Sequence, residues 1–244
     1  YATNELGTGY GDERSFTTDK ILLPTVTTSQ VSSVGVTTAS AGGNVTSDGG
    51  GTILARGLCW NTSGEPDIRV DDFTTVGGTT GTFSSTMNSL SAGTIYYVRA
   101  YARNSAGTAY GNEVKFSTSA ADIDGNVYPT VIIGSQLWME KDLKTSKLNN
   151  GTSIPNVIDD TTWVHLDTPA YCWYDDDPNY GNTYGMIYNW FAVGTGRLCP
   201  VGWKVPSDND FKVLEVYLGM SQASADSAGW RGTDEGTKLK NSTA

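Results

Sequence analysis

Charged residues, histidine and cysteine are all scarce in this sequence. Only 17% of its 244 residues are charged, and acidic residues outnumber basic ones by 26 to 16, which gives a net charge of -10. Lys and Arg form no cluster, so the chain lacks the positive surface that binds a phosphate backbone or an anionic membrane. We therefore expect no nucleic acid partner, whereas calcium and neutral glycans are compatible with this charge balance.

The single histidine, His165, leaves little material for nucleophilic catalysis. The sequence contains no Gly-x-Ser-x-Gly elbow, and a catalytic Ser or Cys would have only His165 as a histidine base. We expect His165 to be a surface or half-buried strand residue. A pair of carboxylates acting on a polysaccharide stays open as an alternative, because such pairs come from distant strands.

The three cysteines, Cys59, Cys172 and Cys199, are widely spaced and form no Cys-x-x-Cys pair, which argues against a zinc site. Long apolar runs are also lacking, since a membrane helix needs about 18 consecutive apolar residues. We expect no membrane-spanning segment in this sequence. Cys59 precedes Trp60, a pair that suggests either a reactive thiol beside a ligand-stacking ring or the core of a central strand, and we favour the core.

An internal repeat is the most informative feature that is present. Residues 1–18 align without a gap on residues 101–118, with ten identities. A period of about 100 residues is too long for a solenoid unit and fits an immunoglobulin-like sandwich. We therefore expect residues 1–23 to be the C-terminal strands of a preceding repeat, and the chain to be part of a longer modular protein.

The segment 24–118 has the pattern of an antiparallel sandwich. Short runs rich in Val, Thr, Ile and Tyr alternate with glycine-rich turns, and apolar positions alternate along 95–102. The inward set predicted there is Tyr96, Val98, Ala100 and Ala102. The spacing of Leu90, Thr94 and Tyr96 resembles the tyrosine-corner strand of fibronectin type III domains. This resemblance implies an all-β fibronectin III-like sandwich that acts as a spacer.

A different domain is expected at 119–244, where six of the seven tryptophans lie. Residues 122–138 have the pattern of two strands, with an Asp-Gly turn before them. Ser207 is suited to be the N-cap of a helix, with Asp210 at the capping-box position and Gly219 just past the end. We therefore predict a helix between Ser207 and Gly219.

Four ordered motifs in this second domain, at 122–128, 133–145, 184–193 and 198–208, resemble the Fibrobacter succinogenes major paralogous (FISUMP) domain. That family occurs in surface and secreted bacterial proteins, often behind fibronectin-like repeats. The resemblance implies that the tryptophans inside these motifs are structural. It also implies that Cys199 pairs with a cysteine beyond Ala244, so that 119–244 is the N-terminal part of a longer domain.

The segment 202–211 further resembles, more loosely, a signature of the formylglycine-generating enzyme fold, a relative of C-type lectin-like domains. This implies a truncated α+β domain with irregular loops. Catalysis does not carry over, because that chemistry needs a later cysteine pair which this sequence lacks.

Two acidic turns are candidate calcium sites. Asp122, Asp124 and Asn126 alternate in the first, and Asp175 and Asp177 belong to the second. Oxygen ligands at alternating positions suit calcium, although the first turn lacks the Glu that completes an EF-hand loop. The alternative is ordinary turn chemistry, in which Asp and Asn bond their own backbone, and we favour it.

Aromatic residues around the second acidic turn suggest a glycan site. The candidates are Tyr171, Trp173, Tyr174, Tyr180 and Tyr184. A ring face beside carboxylates and amides is the usual composition of a sugar site, while the alternative is a loop-rich core that uses aromatics to fill space.

We therefore expect a non-catalytic protein, secreted or on the outer cell surface of a bacterium, that functions in adhesion or glycan binding through its C-terminal domain, with an extracellular glycan or surface protein as its partner. No cofactor is required, and calcium is optional. The alternatives are a structural stalk without a small ligand and a fragment of a polysaccharide-acting enzyme.

Overall fold

The computed structural model describes residues 1–240 and begins with an isolated hairpin. Strand β1 (Ala2–Asn4) pairs antiparallel with β2 (Gly7–Gly9), and every residue of both strands is exposed. The repeated turn from Asn104 to Gly107 is built in the same way. In each turn the Asn side chain accepts a 2.9 Å hydrogen bond from the amide two residues on, and the Gly has a positive φ.

Residues 25–117 form a two-sheet sandwich. Its strands are β3 (Thr25–Thr28), β4 (Ala39–Ser47), β5 (Ala55–Asn61), β6 (Asp72–Phe73), β7 (Gly81–Met87), β8 (Ile95–Asn104), β9 (Gly107–Tyr110) and β10 (Val114–Ser117). One sheet has the order β3-β4-β7, and the other has the order β10-β8-β5-β6 with β9 also paired to β8. Since β9 and β10 pair with consecutive halves of β8, they act as one interrupted edge strand. This is the fibronectin III-like sandwich that the sequence predicted.

The sandwich core contains the inward-facing side chains expected from the alternation along β8. All four are buried: Tyr96, Val98, Ala100 and Ala102. Cys59 and Trp60 of β5 are buried as well, which confirms their placement in the core. The Tyr96 hydroxyl accepts a 2.9 Å hydrogen bond from the Ser91 amide, the contact that defines a tyrosine corner.

The link between the sandwich and the second domain is buried and hydrogen-bonded. Thr118 has no exposed surface; its amide donates to the Thr94 carbonyl at 3.0 Å, and its hydroxyl donates to the Ser91 carbonyl at 2.6 Å. Strand β11 (Ala120–Ala121) then pairs antiparallel with β12 (Val127–Tyr128) of the second domain. The chain therefore passes between the domains without a solvent-exposed spacer.

A direct contact across the two domains lies beside this link. Gly93, at φ +54°, packs on the indole of Trp203, and a Cβ built on Gly93 would lie 2.5 Å from the indole Nε1. The Thr130 hydroxyl lies 2.8 Å from the Ser117 hydroxyl and 3.0 Å from the Thr118 carbonyl. The second domain therefore contacts the sandwich at the end where β10 finishes.

The second domain combines short strands and short helices. Its strands are β12, β13 (Thr130–Ile133), β14 (Gln136–Met139), β15 (Tyr171–Cys172) and β16 (Ile187–Tyr188), and its helices are α1 (Asp160–Trp163), α2 (Gly181–Tyr184), α3 (Trp190–Gly194), α4 (Asp208–Tyr217), α5 (Gln222–Ala225) and α6 (Glu235–Lys238). Single 3-10 turns span Tyr174–Asp176 and Pro178–Tyr180. β13 pairs with β14, and β15 pairs with β16. The relation to C-type lectin-like and formylglycine-enzyme-like domains stays a prediction.

Helix α4 confirms the helix predicted from the capping signals. The Ser207 hydroxyl accepts from the Asp210 amide at 3.3 Å, and the Asp210 carboxylate accepts from the Ser207 amide at 2.8 Å. Gly219 follows the helix at φ +116°. Leu214 is the buried residue of the helix, while the Phe211 ring packs on Trp138 at a centroid distance of 5.6 Å.

Two expectations for this domain are wrong. Trp190, expected to be structural because it lies in a family motif, is 76% exposed. The Asn189 side chain caps α3 by accepting from the Ala192 amide at 3.0 Å, which turns Ala192 into the core and leaves Trp190 outside. His165 is exposed as expected, but it lies in the turn after α1 rather than in a strand.

No helix within residues 1–240 combines the length and the apolar character that crossing a bilayer requires.

Candidate functional site

The five aromatic residues predicted around the acidic loop separate into a pair that packs on the core, with Tyr171 buried and Trp173 partly buried, and an exposed group. Tyr171 and Trp173 pack on the core of the second domain. Tyr174, Tyr180 and Tyr184 are 56%, 36% and 54% exposed, and their ring centroids lie 5.5 to 5.6 Å from one another. We call these three residues the tyrosine cluster. The structure therefore brings three of the predicted glycan residues together at the surface and uses the other two as support.

Two consecutive tight turns hold the tyrosine cluster. Asp175 and Asp176 both adopt φ +54°, a left-handed conformation that Asp tolerates better than most residues. The Asp177 carboxylate then accepts from the Asn179 amide at 2.9 Å and from the Asn179 side chain at 2.8 Å. Gly181 is buried against the Trp173 indole, so the core tryptophan fixes where α2 begins.

Polar side chains surround the tyrosine cluster. Asp175 and Asp176 are exposed beside Tyr174, and Asn182 accepts a 2.9 Å hydrogen bond from the Lys144 ammonium. Of the two calcium candidates here, Asp177 is engaged with Asn179, whereas Asp175 is free to face solvent. The surface therefore offers aromatic rings next to carboxylates and amides, which is the composition predicted for a sugar site.

The first acidic turn is held by bonds within the chain. The Asp122 carboxylate accepts from the Asn126 amide at 2.9 Å, from the Asn126 side chain at 2.8 Å and from the Tyr128 hydroxyl at 2.6 Å. Burial, followed by this bond to Asp122, raises the pKa of Tyr128 far above its usual value. Asp122 and Asn126 therefore bind each other and a buried tyrosine.

Asp124 points to a different set of partners. Its carboxylate accepts from the Ser146 amide at 2.6 Å and the Thr145 hydroxyl at 3.1 Å, and it pairs with the Lys147 ammonium at 2.8 Å. Burial raises the pKa of Asp124, but the bonds from Lys147, Ser146 and Thr145 outweigh it and lower the pKa to about 2. The structure does not bring Asp122 and Asp124 onto a shared partner.

Within the described part of the chain, no group of three or more His, Cys, Asp and Glu side chains is arranged to hold a metal ion. Calcium binding at either turn stays a prediction, and the exposed second turn is the one with carboxylates facing solvent.

A cleft of about 650 Å³ lies beside the tyrosine cluster, and Tyr184 lines it. All four residues of β14 contribute to its lining, together with Leu143, Met186, Tyr188 and the segment 202–206. A smaller recess of about 320 Å³ shares part of this lining, including Trp203, and contains the exposed Trp190. Cavities of roughly 300–1,000 Å³ are the size that proteins use to bind small molecules.

The charged groups at the cleft balance each other. Lys141, Asp142, Lys204 and Asp210 line it, and the Lys204 ammonium lies 2.7 Å from the Asp210 carboxylate. The bonds from Lys204 and then Ser207 hold the pKa of Asp210 well below its usual range. The cleft therefore favours a neutral occupant.

The cysteines form no disulfide among residues 1–240. Cys199 lines the cleft, and burial raises the pKa of its thiol. Burial also raises the pKa of Cys172 and brings that of Cys59 to about 12, which disfavours the reactive thiolate at all three positions. The disulfide partner expected for Cys199 falls outside the described residues, so that pairing stays a prediction.

The cleft was not predicted from the sequence. Trp138 and Trp203 line it, but their place within family motifs led us to expect purely structural roles. The available signal was the concentration of apolar and aromatic residues at both 136–139 and 202–206. Only the fold shows that these segments, more than sixty residues apart, meet at one surface.

The fold and the site together define a class of protein: a fibronectin III-like sandwich joined by a buried link to a small α+β domain with an exposed aromatic surface. Residues 131–244 match the family model of the Fibrobacter succinogenes major domain. This segment belongs to that family, which confirms the resemblance found in the sequence motifs. The match begins in β13, whereas the bonds of Tyr128 to Asp122 and Lys144 attach residues 122–128 to the same domain.

Two solved structures similar to this chain each cover less than half of it. The sensor domain of the anti-sigma factor RsgI4 of Pseudobacteroides cellulosolvens is 17% identical, with 41% of this chain and 99% of that chain covered at a TM-score of 0.31. A fibronectin type III domain of human collagen XX is 19% identical, with 43% and 100% covered at a TM-score of 0.31. At these scores the likeness adds nothing to the strand order described above. No curated protein matches the chain.

Proposed function

We propose that this chain is a non-catalytic bacterial protein, secreted or on the outer cell surface, that binds glycan at the tyrosine cluster. The observation that carries the proposal is the packing of three exposed tyrosine rings within 5.6 Å of one another beside an acidic loop. In this proposal the sandwich holds the binding domain in place, and the second domain has a lectin-like architecture.

The chemistry of the tyrosine cluster supports a sugar ligand. A tyrosine has an apolar ring that packs on the C–H face of a sugar and a hydroxyl that bonds the sugar's own hydroxyls. Three such rings already in contact lose little conformational freedom when a ligand arrives. The carboxylates of Asp175 and Asp176 add acceptors that fix the orientation of hydroxyl groups.

The position of the histidine and the ionisation of a cleft carboxylate support the non-catalytic part of this proposal. His165 is exposed, and its Nδ1 lies 2.7 Å from the Thr161 carbonyl, away from the cleft lining. Of the carboxylates at the cleft, Asp210 is held ionised by Lys204, whereas a general acid for glycoside hydrolysis needs a raised pKa.

A structural stalk is the second candidate, and the buried link at 118–121 favours it. Thr118 bonds to the sandwich, and the Thr130 hydroxyl of the second domain lies 2.8 Å from the Ser117 hydroxyl of β10, so the two domains are in direct contact. This arrangement suits an extended surface fibre without any small ligand.

A glycan array of the whole chain, run with calcium and again with a chelator, tests the proposal. We expect binding in the micromolar to millimolar range, and Tyr174→Ala should weaken it at least tenfold, which is about 1.4 kcal/mol. Trp230→Ala is the matched control, because Trp230 is a fully exposed aromatic outside the cluster and the cleft lining. Binding that occurs with calcium but is lost in the chelator would assign calcium to the acidic loop.

Two results would count against the proposal. Binding that survives Tyr174→Ala would remove the tyrosine cluster from the glycan site. No binding by the unmodified chain in either buffer would leave the stalk as the better account.

A further inference from the structure

The cleft runs along the unpaired edge of strand β14. All four residues of β14, Gln136 to Met139, line it, whereas no residue of β13 does. Successive side chains of a strand point to opposite faces, so a cavity that meets all four lies against the edge of the strand rather than against one face. Since β14 pairs only with β13 among the described residues, the cleft occupies the side where a third strand would lie.

Hydrogen-bonded and non-hydrogen-bonded pairs alternate along the hairpin of β13 and β14, and this alternation determines which backbone groups of β14 face the cleft. The Glu140 amide donates to the Pro129 carbonyl at 2.9 Å, and Val131 with Trp138 and Ile133 with Gln136 continue that series of bonded pairs. Leu137 and Met139 fall between these pairs, so their amides and carbonyls point away from β13. Within residues 1–240, neither amide has another hydrogen-bond partner.

The rest of the cleft suits the side chains of an uncharged segment. Its lining is mainly apolar, with Met186, Val193, Leu198, Trp203, Val205 and Pro206 among its members. The two cations and two carboxylates at its rim cancel, and Lys204 with Asp210 already form a pair. A neutral segment with apolar side chains complements this surface in charge and in polarity.

We propose that the cleft binds an extended, uncharged, apolar-rich peptide segment of another surface protein, which adds to the hairpin as a strand beside β14. Leu137 and Met139 supply the outward amides and carbonyls, two residues apart, with which a neighbouring strand bonds. A glycan would use the aromatic rings but would leave these backbone groups without regularly spaced partners. The unpaired edge therefore favours a peptide here, at a site that adjoins the tyrosine cluster at Tyr184.

The test begins with a display library of random twelve-residue peptides selected on the whole chain. We expect enriched peptides of apolar, uncharged composition that bind saturably and slow hydrogen exchange at the Leu137 and Met139 amides at least tenfold. Methylating alternate backbone nitrogens of an enriched peptide should weaken its binding at least tenfold, because a methylated nitrogen cannot donate to the strand edge.

Two variants locate the site on the protein. Leu137→Pro removes one outward donor and leaves the bonded pairs with β13 in place, as edge strands allow. Val205→Lys puts a charge on the apolar lining at a position that is already partly exposed. Both should weaken peptide binding at least tenfold, while the control Val131→Lys, on β13 outside the cleft lining, should not.

Several results would overturn the peptide site. They are a selection that enriches no peptide sensitive to Val205→Lys, a methylated peptide that binds as well as its parent, and a glycan that protects Leu137 and Met139 in place of a peptide. The glycan proposal is tested separately, because Leu137→Pro and Val205→Lys leave Tyr174 intact.

Discussion

A single carboxylate, that of Asp124, organises the start of the second domain. It is 15% exposed and receives bonds from Thr145, Ser146 and Lys147, which join the turn at 122–126 to the segment 145–147. The sequence marked this residue as a candidate calcium ligand, but in the structure its positive partner is the Lys147 ammonium. A side chain that is tied into the fold in this way contributes to stability.

Asp124→Asn should lower the free energy of unfolding at pH 7 by about 2 kcal/mol, the range of charge-assisted hydrogen bonds. The folded pKa of Asp124, about 2, lies below the usual value for Asp. Its stabilising contribution is therefore present at neutral pH and is lost as the pH falls from about 4 towards 2. Urea unfolding should show that Asp124→Asn has a lower free energy of unfolding than the unmodified chain at pH 7, and that this difference is smaller at pH 2. Asp167→Asn, at an exposed position, should show no such difference; an equal effect of both changes would contradict this role for Asp124.

Elements with strong local signals were predictable from the sequence. The capping box of α4 and the alternation along β8 depend on residues close in sequence, and both formed as predicted. Trp190 shows where such reasoning fails, because its exposure is decided by how Asn189 caps α3 and not by the hydrophobicity of the indole. The sequence showed that aromatic residues are concentrated around the acidic loop. Which of their rings are exposed depends on the packing of Trp173 against Gly181, which only the structure shows.

The capping box gives a prediction at the scale of one helix. Ser207→Ala should destabilise the second domain by about 1 kcal/mol, because the amide of Asp210 loses its acceptor at the start of α4. Ser207→Thr keeps a hydroxyl and should restore most of that loss. Urea unfolding of the three proteins side by side checks the order; equal stability of Ser207→Ala and the unmodified chain would show that solvent replaces the cap.

At the scale of the whole molecule, the contact of Gly93 with Trp203 makes the sandwich part of the cleft's support. Trp203 lines the cleft and packs on Gly93 across the two domains. The spacer role expected for the sandwich therefore includes fixing one residue of the cleft. Neither residue could be paired from the sequence, because they lie in different domains and more than one hundred positions apart.

Gly93→Ala should disturb the second domain although it lies in the first. Its φ of +54° is unfavourable for Ala, and the new Cβ would displace the indole of Trp203. We expect a loss of about 1–2 kcal/mol of stability and faster hydrogen exchange across 198–206. Gly50→Ala carries a similar strain at φ +80° with no atom within 4 Å of the new Cβ, so it should leave exchange at 198–206 unchanged. Identical exchange in both variants would mean that the contact does not transmit the change.

The buried link at 118–121 also affects how readily a protease can cut this protein between its two domains. A protease needs an accessible, extendable stretch of chain, and multidomain proteins usually offer one between their domains. Here the hydroxyl and amide of Thr118 are bonded to the sandwich, and Ala120 lies in a strand with no more than 1% of its surface exposed. Digestion at the domain boundary would first require local unfolding. Proteases would therefore not readily separate the sandwich from the second domain.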